Sequence, residues 1–142
     1  MDSLLKILGA TEYIQVADNE NLIPAKIDTG ADTSAIWAEV LNKKSVHDDA
    51  VLKFTLFCEE SEFYDGTIYE TEEFTEVKVR SSNGQSESRF LVELPVILGG
   101  IKVKAQFTLA NRSKNKYPVL IGKKALAGHF LVDVRFDKAE VI

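Results

Sequence analysis

Short apolar runs rich in Val, Ile and Phe recur along the chain and are separated by Gly, Asn, Pro or charged clusters. Runs of this kind are typical of strands, and no segment sustains a helical period. The pattern predicts an all-β barrel or sandwich with nine strands: Tyr13–Val16, Ile23–Asp28, Ala35–Trp37, Val51–Phe57, Phe74–Arg80, Ser88–Ile97, Lys102–Leu109, Pro118–Ile121 and Phe130–Val134.

Two local signals add to this pattern. The polar stretch Ser81–Ser88 holds Asn83 and Gly84 between two alternating strands, and both residue types tolerate the positive φ angles of hairpin turns. This stretch predicts a β-hairpin with a polar tip. Lys123–Ala127 is rich in helix-forming residues and is bracketed by glycines, which predicts one short helix.

The length and composition fit one soluble domain over residues 1–142, with no linker and no internal repeat. The single cysteine, Cys58, cannot form an intrachain disulfide, and the N-terminal segment has too few clustered apolar residues for a signal peptide. No stretch reaches transmembrane length. We therefore expect a cytoplasmic protein that does not bind a membrane.

The net charge of -5 argues against general binding of nucleic acid, which usually requires a basic excess. The charges are also segregated along the chain. Glu59–Glu76 holds eight acidic residues without a Lys or Arg, whereas Arg80–Lys124 holds nine basic residues against two acidic ones. The favoured interpretation is that both segments are solvated faces of a β protein. Steering of an anionic substrate is the alternative.

The chemistry-bearing motif is Asp28-Thr29-Gly30, which lies between an apolar strand and the apolar segment Ala35–Trp37. A glycine in such a turn allows close backbone approach, and the threonine hydroxyl can lock the turn beside the carboxylate. Asp, Thr and Gly are also ordinary turn residues, so the tripeptide alone is weak evidence. The longer context is more specific.

The string AKIDTGADTSAI resembles the active-site segment of retropepsins, the viral-type aspartic peptidases. A second hallmark of that family, apolar residues followed by Gly, a basic residue and a short helix, is present as Val119–Leu126. The predicted hairpin lies where retropepsins carry their flap. The resemblance implies a closed acid-protease β-barrel with a flap hairpin and one short C-terminal helix.

The chain is also similar to a bacterial group of single-domain retropepsin-like proteins labelled ATP-dependent zinc proteases. The matching segments are KIDTGADTSAI, the SNG hairpin with Arg89, FTLANR at Phe107–Arg112, and YPVLIGKKALAGHFLVD at Tyr117–Asp133. One departure is Asp32, where the bacterial group usually has a basic residue and the viral enzymes have an acid.

The resemblance implies a homodimer in which two Asp28 carboxyl groups share one proton and activate water against a peptide bond. Thr29 would brace the two loops, Gly30 would offer backbone groups to the substrate, and Phe130–Val134 is a candidate intersubunit strand. Asp32 and Lys123 correspond to an acid–base pair of the viral enzymes. The expected site comprises catalytic Asp28, Thr29 and Gly30, substrate-binding Ala31, Asp32, Asn83, Gly84 and Arg89, and structural Ile121, Gly122 and Lys123.

The zinc label has no support in the residues. Catalytic zinc usually needs three protein ligands, and the two histidines, His47 and His129, are far apart and are interpreted as surface or partly buried side chains. Cys58 is interpreted as a small buried hydrophobic residue, and no phosphate-binding glycine loop is present. We expect no metal and no cofactor. An inactive peptide-binding barrel and, last, a metal-dependent hydrolase stay open as alternatives.

The resemblance also bears on the substrate. The bacterial group is associated with ATP-grasp ligases, some of which add glutamate tails to proteins, and the resemblance implies that at least some members trim such tails. The basic excess in Arg80–Lys124 is compatible with an acidic peptide, although surface lysines need no such explanation. A glutamate-rich peptide tail is therefore a hypothesis for the substrate.

Overall fold

The computed structural model describes residues 5–46, 49–80 and 83–139. The described residues form eleven strands and one four-residue helix. They are β1 Lys6–Leu8, β2 Thr11–Val16, β3 Asn19–Ile27, β4 Ser34–Val46, β5 Asp49–Leu56, β6 Ile68–Thr71, β7 Phe74–Arg80, β8 Ser86–Leu98, β9 Ile101–Ala110, β10 Val119–Ile121, α1 Lys123–Leu126 and β11 Phe130–Val132.

Alternation of apolar and polar side chains determines which face of each strand is buried. In β9, Val103, Ala105 and Phe107 are buried, whereas Lys102, just before them, and Lys104, between the first two, are exposed. Successive side chains of a strand point to opposite faces, so this alternation directs one face inward and the other to solvent. The strand register follows, because a shift by one residue would expose the whole apolar set.

Six strands close into a barrel. The order around it is β10, β3, β2, β8, β9 and β4, and β10 pairs with both β3 and β4 to complete the ring. Closure satisfies the backbone groups that open sheet edges would leave unpaired. Strands β5 and β6 extend the sheet from β4, while β7 pairs with β8 as a hairpin outside the ring.

The core fills this barrel and the layer beneath β5. Phe54, Phe57, Phe107, Ile36 and Ile121 are at most 1% exposed. Burying an aromatic or branched side chain contributes about 1.5–3 kcal/mol, so this cluster supplies a large share of the stability. Within the described residues, no helix is long and apolar enough to cross a membrane.

The all-β fold and the closed barrel predicted from the sequence are confirmed. The flap hairpin is present, with Arg80 paired to Ser86, so the connecting loop has five residues rather than a tight two-residue turn. Within that loop Gly84 has φ +85°. Ser81 and Ser82 lie outside the described residues. The short helix ends at Leu126, one residue earlier than predicted.

Several strand predictions are corrected. Strands β1 and β6 were not predicted, and β4 continues to Val46 instead of ending at Trp37. From Ala38 to Lys44 no residue of β4 is buried, so this part carries no alternation of buried and exposed positions. The last strand ends at Val132 rather than Val134, and it pairs in parallel with β1 of the same chain.

Candidate active site

The loop that carries Asp28 joins β3 to β4, and β10 lies between these two strands. Ile121 of β10 is the partner of Ile27 in a parallel pairing, while Val119 is the partner of Ile36 in an antiparallel one. The backbone N–H of Asp28 donates to the Ile121 carbonyl at 2.8 Å. Asp28, the catalytic candidate, therefore directly follows the end of a barrel strand that is paired on both sides.

The Asp28 carboxylate is held by its own turn. Its Oδ1 accepts a hydrogen bond from the backbone N–H of Gly30 at 2.9 Å, and its carbonyl accepts one from Ala31 at 3.3 Å. A Cβ atom built on Gly30 would lie 3.3 Å from the same Oδ1, tighter than an ordinary contact. Glycine thus lets the carboxylate fold onto the loop backbone. The side chain of Asp28 is partly exposed, and Thr29 beside it is exposed.

The start of α1 clamps the far side of this loop. Backbone N–H groups of Lys123 and Lys124 donate to the carbonyls of Ala31 and Asp32, at 2.7 and 3.1 Å. The N–H of Gly122 donates to the buried Ser34 hydroxyl oxygen at 3.0 Å. These bonds tie two segments distant in sequence into one rigid unit.

Gly122 sits where the two segments cross. A Cβ atom there would meet the Ala31 carbonyl oxygen at 2.8 Å and the Thr33 carbonyl carbon and oxygen at 2.9 Å. Its φ of -97° is open to any residue, so the requirement for glycine is purely one of space.

Asp32 and Lys123 form an ion pair across the same junction, with 3.1 Å between Oδ1 and Nζ. Both side chains are more than half exposed. An exposed pair of this kind contributes about 0–1 kcal/mol, so the backbone bonds dominate the clamp.

A cleft of about 530 Å³ lies between the β7–β8 hairpin and the Asp28 loop. Ala31, Asp32 and Thr33 form its floor, and basic side chains from the hairpin, α1 and the segment after β9 surround it. Its lining includes the basic residues Lys78, Arg80, Arg89, Arg112 and Lys124 and the apolar residues Ala35, Val77, Val79, Leu91 and Leu120.

Arg112 is the most constrained of these basic groups. Its Nε donates to the Tyr117 carbonyl at 3.2 Å. Burial lowers the pKa of its guanidinium, the positive charge of Arg89 lowers it further, and the negative charge of Asp28 opposes the shift. Arg89 and Arg112 line the same cleft, so each guanidinium lies in the field of the other.

Arg89 reaches the cleft from β8. Its Nη1 lies 3.5 Å from the Thr108 hydroxyl oxygen, a long contact, while its Nε and Nη2 contact Glu87. The Thr108 hydroxyl in turn lies 3.5 Å from the Ser34 carbonyl. The hairpin and the barrel wall below the Asp28 loop therefore meet at this arginine.

The structure brings most of the predicted site residues together. Asp28 to Asp32 form one loop, Ile121 to Lys123 clamp it, and Arg89 lines the cleft above it. Asn83 and Gly84 are at the exposed hairpin tip and do not line the cleft, and Asp28, Thr29 and Gly30 lie beside it and are not part of its lining. Sequence reasoning left Arg112 and Thr108 out of the site. Their signal was the FTLANR segment, already matched to the bacterial group.

The residues considered for metal or thiol chemistry are dispersed. His129 is exposed with its ring 6.1 Å from Phe130, and His47 lies outside the described residues. In the part of the chain that the structure describes, no three His, Cys, Asp or Glu side chains are grouped to hold a metal ion. Cys58 is partly exposed, not buried as interpreted, and donates to Glu60 at 2.8 Å. This bond raises the pKa of the Cys58 thiol, which disfavours the nucleophilic thiolate.

Comparisons with known proteins agree with this geometry. A protein of unknown function from Legionella pneumophila has a similar crystal structure, with a TM-score of 0.74, 25% identity, and coverage of 94% of this chain and 96% of that one. A probable alpha-L-glutamate ligase of Shewanella pealeana is 30% identical over 128 residues, and one of Desulfotalea psychrophila is 25% identical over 143.

The two ligases are much longer proteins. The match covers 89% of this chain but 28% of the Shewanella protein, and 93% of this chain but 29% of the Desulfotalea protein. The model of the RimB-like family, described as retropepsin-like aspartic endopeptidase RimB, matches residues 7–140. The chain belongs to this family of retropepsin-like proteins.

Proposed function

We propose that this chain is an aspartic peptidase that acts as a homodimer, with one Asp28 from each subunit forming the catalytic pair. The supporting observation is the clamped loop, in which the Gly30 N–H, the Ile121 carbonyl and the start of α1 fix the Asp28 turn. Preorganised carboxylates are what water activation requires, because a small misplacement lowers the rate steeply.

The proposed reaction uses two carboxyl groups that share a proton. The ionised carboxylate takes a proton from a water molecule as that water attacks the peptide carbonyl, and the protonated carboxyl hydrogen-bonds the carbonyl oxygen. The carboxyl group that took the proton from water then gives it to the amide nitrogen as the C–N bond breaks, which leaves a carboxylic acid and an amine and restores the pair with its one shared proton. Each loop supplies one such aspartate, so a two-fold dimer completes the pair.

We further propose a glutamate-rich peptide as the substrate. Arg89 and Arg112 line the cleft beside the Asp28 loop, and Lys124 lies on its rim. Guanidinium groups bind carboxylates through paired N–H donors, and they do so best when partly shielded from water. The probable glutamate ligases that contain a similar segment are consistent with this chemistry, since a ligase of that kind would make glutamyl bonds.

The test is hydrolysis of a dye-quenched peptide of consecutive glutamates by the wild type and by Asp28→Asn. We expect Asp28→Asn to lower kcat by about 10²–10⁴-fold, because it removes a group that carries a proton during the reaction. Asp49→Asn is the matched control, since it makes the same chemical change at an exposed residue that does not line the cleft, and it should keep the wild-type kcat. A wild-type rate in Asp28→Asn would contradict the aspartic mechanism.

Substrate class and assembly are tested with the same peptide. Specific activity should fall on dilution as dimers dissociate. Hydrolysis of the glutamate peptide should weaken as salt shortens the Debye length below about 10 Å, whereas a glutamine peptide of equal length should show no such dependence. Specific binding of the peptide without hydrolysis by the wild type at any concentration would favour the alternative of an inactive peptide-binding barrel.

A further inference from the structure

The guanidinium of Arg89 is already occupied by a carboxylate of its own strand. Glu87 Oε1 lies 2.5 Å from both Nε and Nη2 of Arg89. The two residues are two positions apart on β8, and side chains at that spacing share a face of a strand. Glu87 therefore lies beside the cleft to which Arg89 contributes.

Glu87 occupies the Nε and Nη2 edge of Arg89, which is the edge that would bind a carboxylate of the substrate. The Nε and Nη2 groups of an arginine form a fork that suits the two oxygens of a carboxylate. The other terminal nitrogen, Nη1, has the 3.5 Å contact with Thr108. A substrate carboxylate that binds Arg89 through the fork must first displace Glu87.

Burial shows which partner can move. The side chain of Arg89 is 22% exposed, whereas that of Glu87 is 58% exposed. Arg89 is held in the wall of the cleft, while the glutamate can rotate into solvent and be hydrated there. Because the Glu87 half of the pair is exposed, water screens the attraction and displacement has a small energetic cost.

Glu87 also offsets positive charge in the empty cleft, because Arg112 contributes a second guanidinium there. Arg112 and Arg89 line the same cleft, so their positive charges repel each other. Among the described residues, Arg112 has no carboxylate in an ion pair, and its Nε is bonded to the Tyr117 carbonyl. Glu87 neutralises one of the two positive charges while the cleft is empty.

We propose that Glu87 is a placeholder carboxylate, which occupies Arg89 in the free protein and is displaced when a carboxylate of the substrate binds. Glu87 is thus a specificity-determining residue. An acidic peptide exchanges one carboxylate for another at Arg89, whereas a neutral peptide leaves Glu87 in place and gains nothing there. The inference rests on the proposed function only in taking the ligand to be an acidic peptide.

The test measures binding of a labelled glutamate peptide and a matched glutamine peptide to full-length Asp28→Asn protein, which prevents turnover. Adding Glu87→Gln should lower Kd for the glutamate peptide by about two- to fivefold, the range that an exposed ion pair can supply. Kd for the glutamine peptide should not change. In protein that also carries Arg89→Gln, the effect of Glu87→Gln should disappear.

Glu93→Gln is the control for net charge, since it removes an exposed glutamate of the same strand that has no ion pair with Arg89. It should change Kd for the glutamate peptide less than Glu87→Gln does. Equal effects of the two variants would overturn the proposal, because they would reduce it to long-range repulsion.

Two other results would also overturn it. If Glu87→Gln bound the glutamate peptide more weakly or equally well, Glu87 would position Arg89 instead of competing for it. If no variant bound the glutamate peptide, an acidic peptide would not be the ligand of the cleft. Failure of the peptidase proposal would look different, because hydrolysis by wild-type protein would be absent while the binding responses remained. Thermal melting of each variant checks that the fold is retained.

Discussion

Replacing Gly122 by alanine is the most direct test of the clamp on the Asp28 loop. The added methyl group would lie 2.8 Å from the Ala31 oxygen and 2.9 Å from two atoms of Thr33, whereas ordinary contacts begin at 3.4 Å. The neighbours are backbone atoms, so relief requires the loop and α1 to separate by about 0.6 Å, the difference between those distances. Asp28 belongs to the loop that would move.

Gly122→Ala should lower both the thermal stability and kcat. Overpacking of a tight site costs about 1–3 kcal/mol, and for a chain of this size each kcal/mol lowers Tm by about 3–4 °C. A misplacement approaching 1 Å near reacting groups can lower the rate by about 10²-fold. We therefore expect a drop of about 3–12 °C in Tm and a fall in kcat of about tenfold or more for the folded protein.

Calorimetry and hydrolysis of the glutamate peptide well below Tm measure the two effects separately. Gly100→Ala is the control, because a Cβ there meets nothing within 4 Å and the only cost is its φ of +79°. That variant should lose stability but keep its kcat. If Gly122→Ala kept both Tm and kcat, the close crossing of loop and helix would not control the site.

The remaining predictions concern side chains of the same junction. Ser34→Ala should lower the free energy of unfolding by about 1–3 kcal/mol in urea titrations, because it leaves the buried N–H of Gly122 without its acceptor, and a loss below about 0.3 kcal/mol would refute that reasoning. Asp32→Asn should cost less than about 1 kcal/mol in the same titration, since the ion pair with Lys123 is exposed while the backbone bonds remain. If Asp32→Asn lowered the free energy of unfolding more than Ser34→Ala does, the exposed ion pair would matter more than the buried hydrogen bond, contrary to this reasoning.

Sequence patterns could predict the barrel because its ring strands have one buried face. β9 alternates lysine and glutamine with buried apolar residues, and that alternation is readable without coordinates. No residue of β4 from Ala38 to Lys44 is buried, and β6 alternates over only four residues, which is too short a pattern to recognise. Pairing with β5 and the stacking of Tyr69 on Phe54 hold these segments as strands.

The Asp28 loop was predictable for a different reason. Its Gly30 and the Gly122 junction need specific residues at fixed positions, so the chemistry leaves a local sequence signature. The FTLANR segment marked Arg112 as a matched residue but not as part of the site, because its place in the cleft depends on how the segment after β9 folds back over the barrel. The pairing of Glu87 with Arg89 is likewise a matter of side-chain conformation that spacing alone does not determine.

The insertion of β10 between β3 and β4 has a consequence for folding kinetics. Val119 pairs with Ala25, 94 residues earlier, so the ring closes only when distant parts of the chain meet. Contacts of such long sequence separation form slowly, because the entropy of loop closure is lost before the contacts repay it. A nascent or partly unfolded chain cannot form the clamped Asp28 loop until β10 and α1 have docked onto it, so the proposed peptidase site would form late in folding.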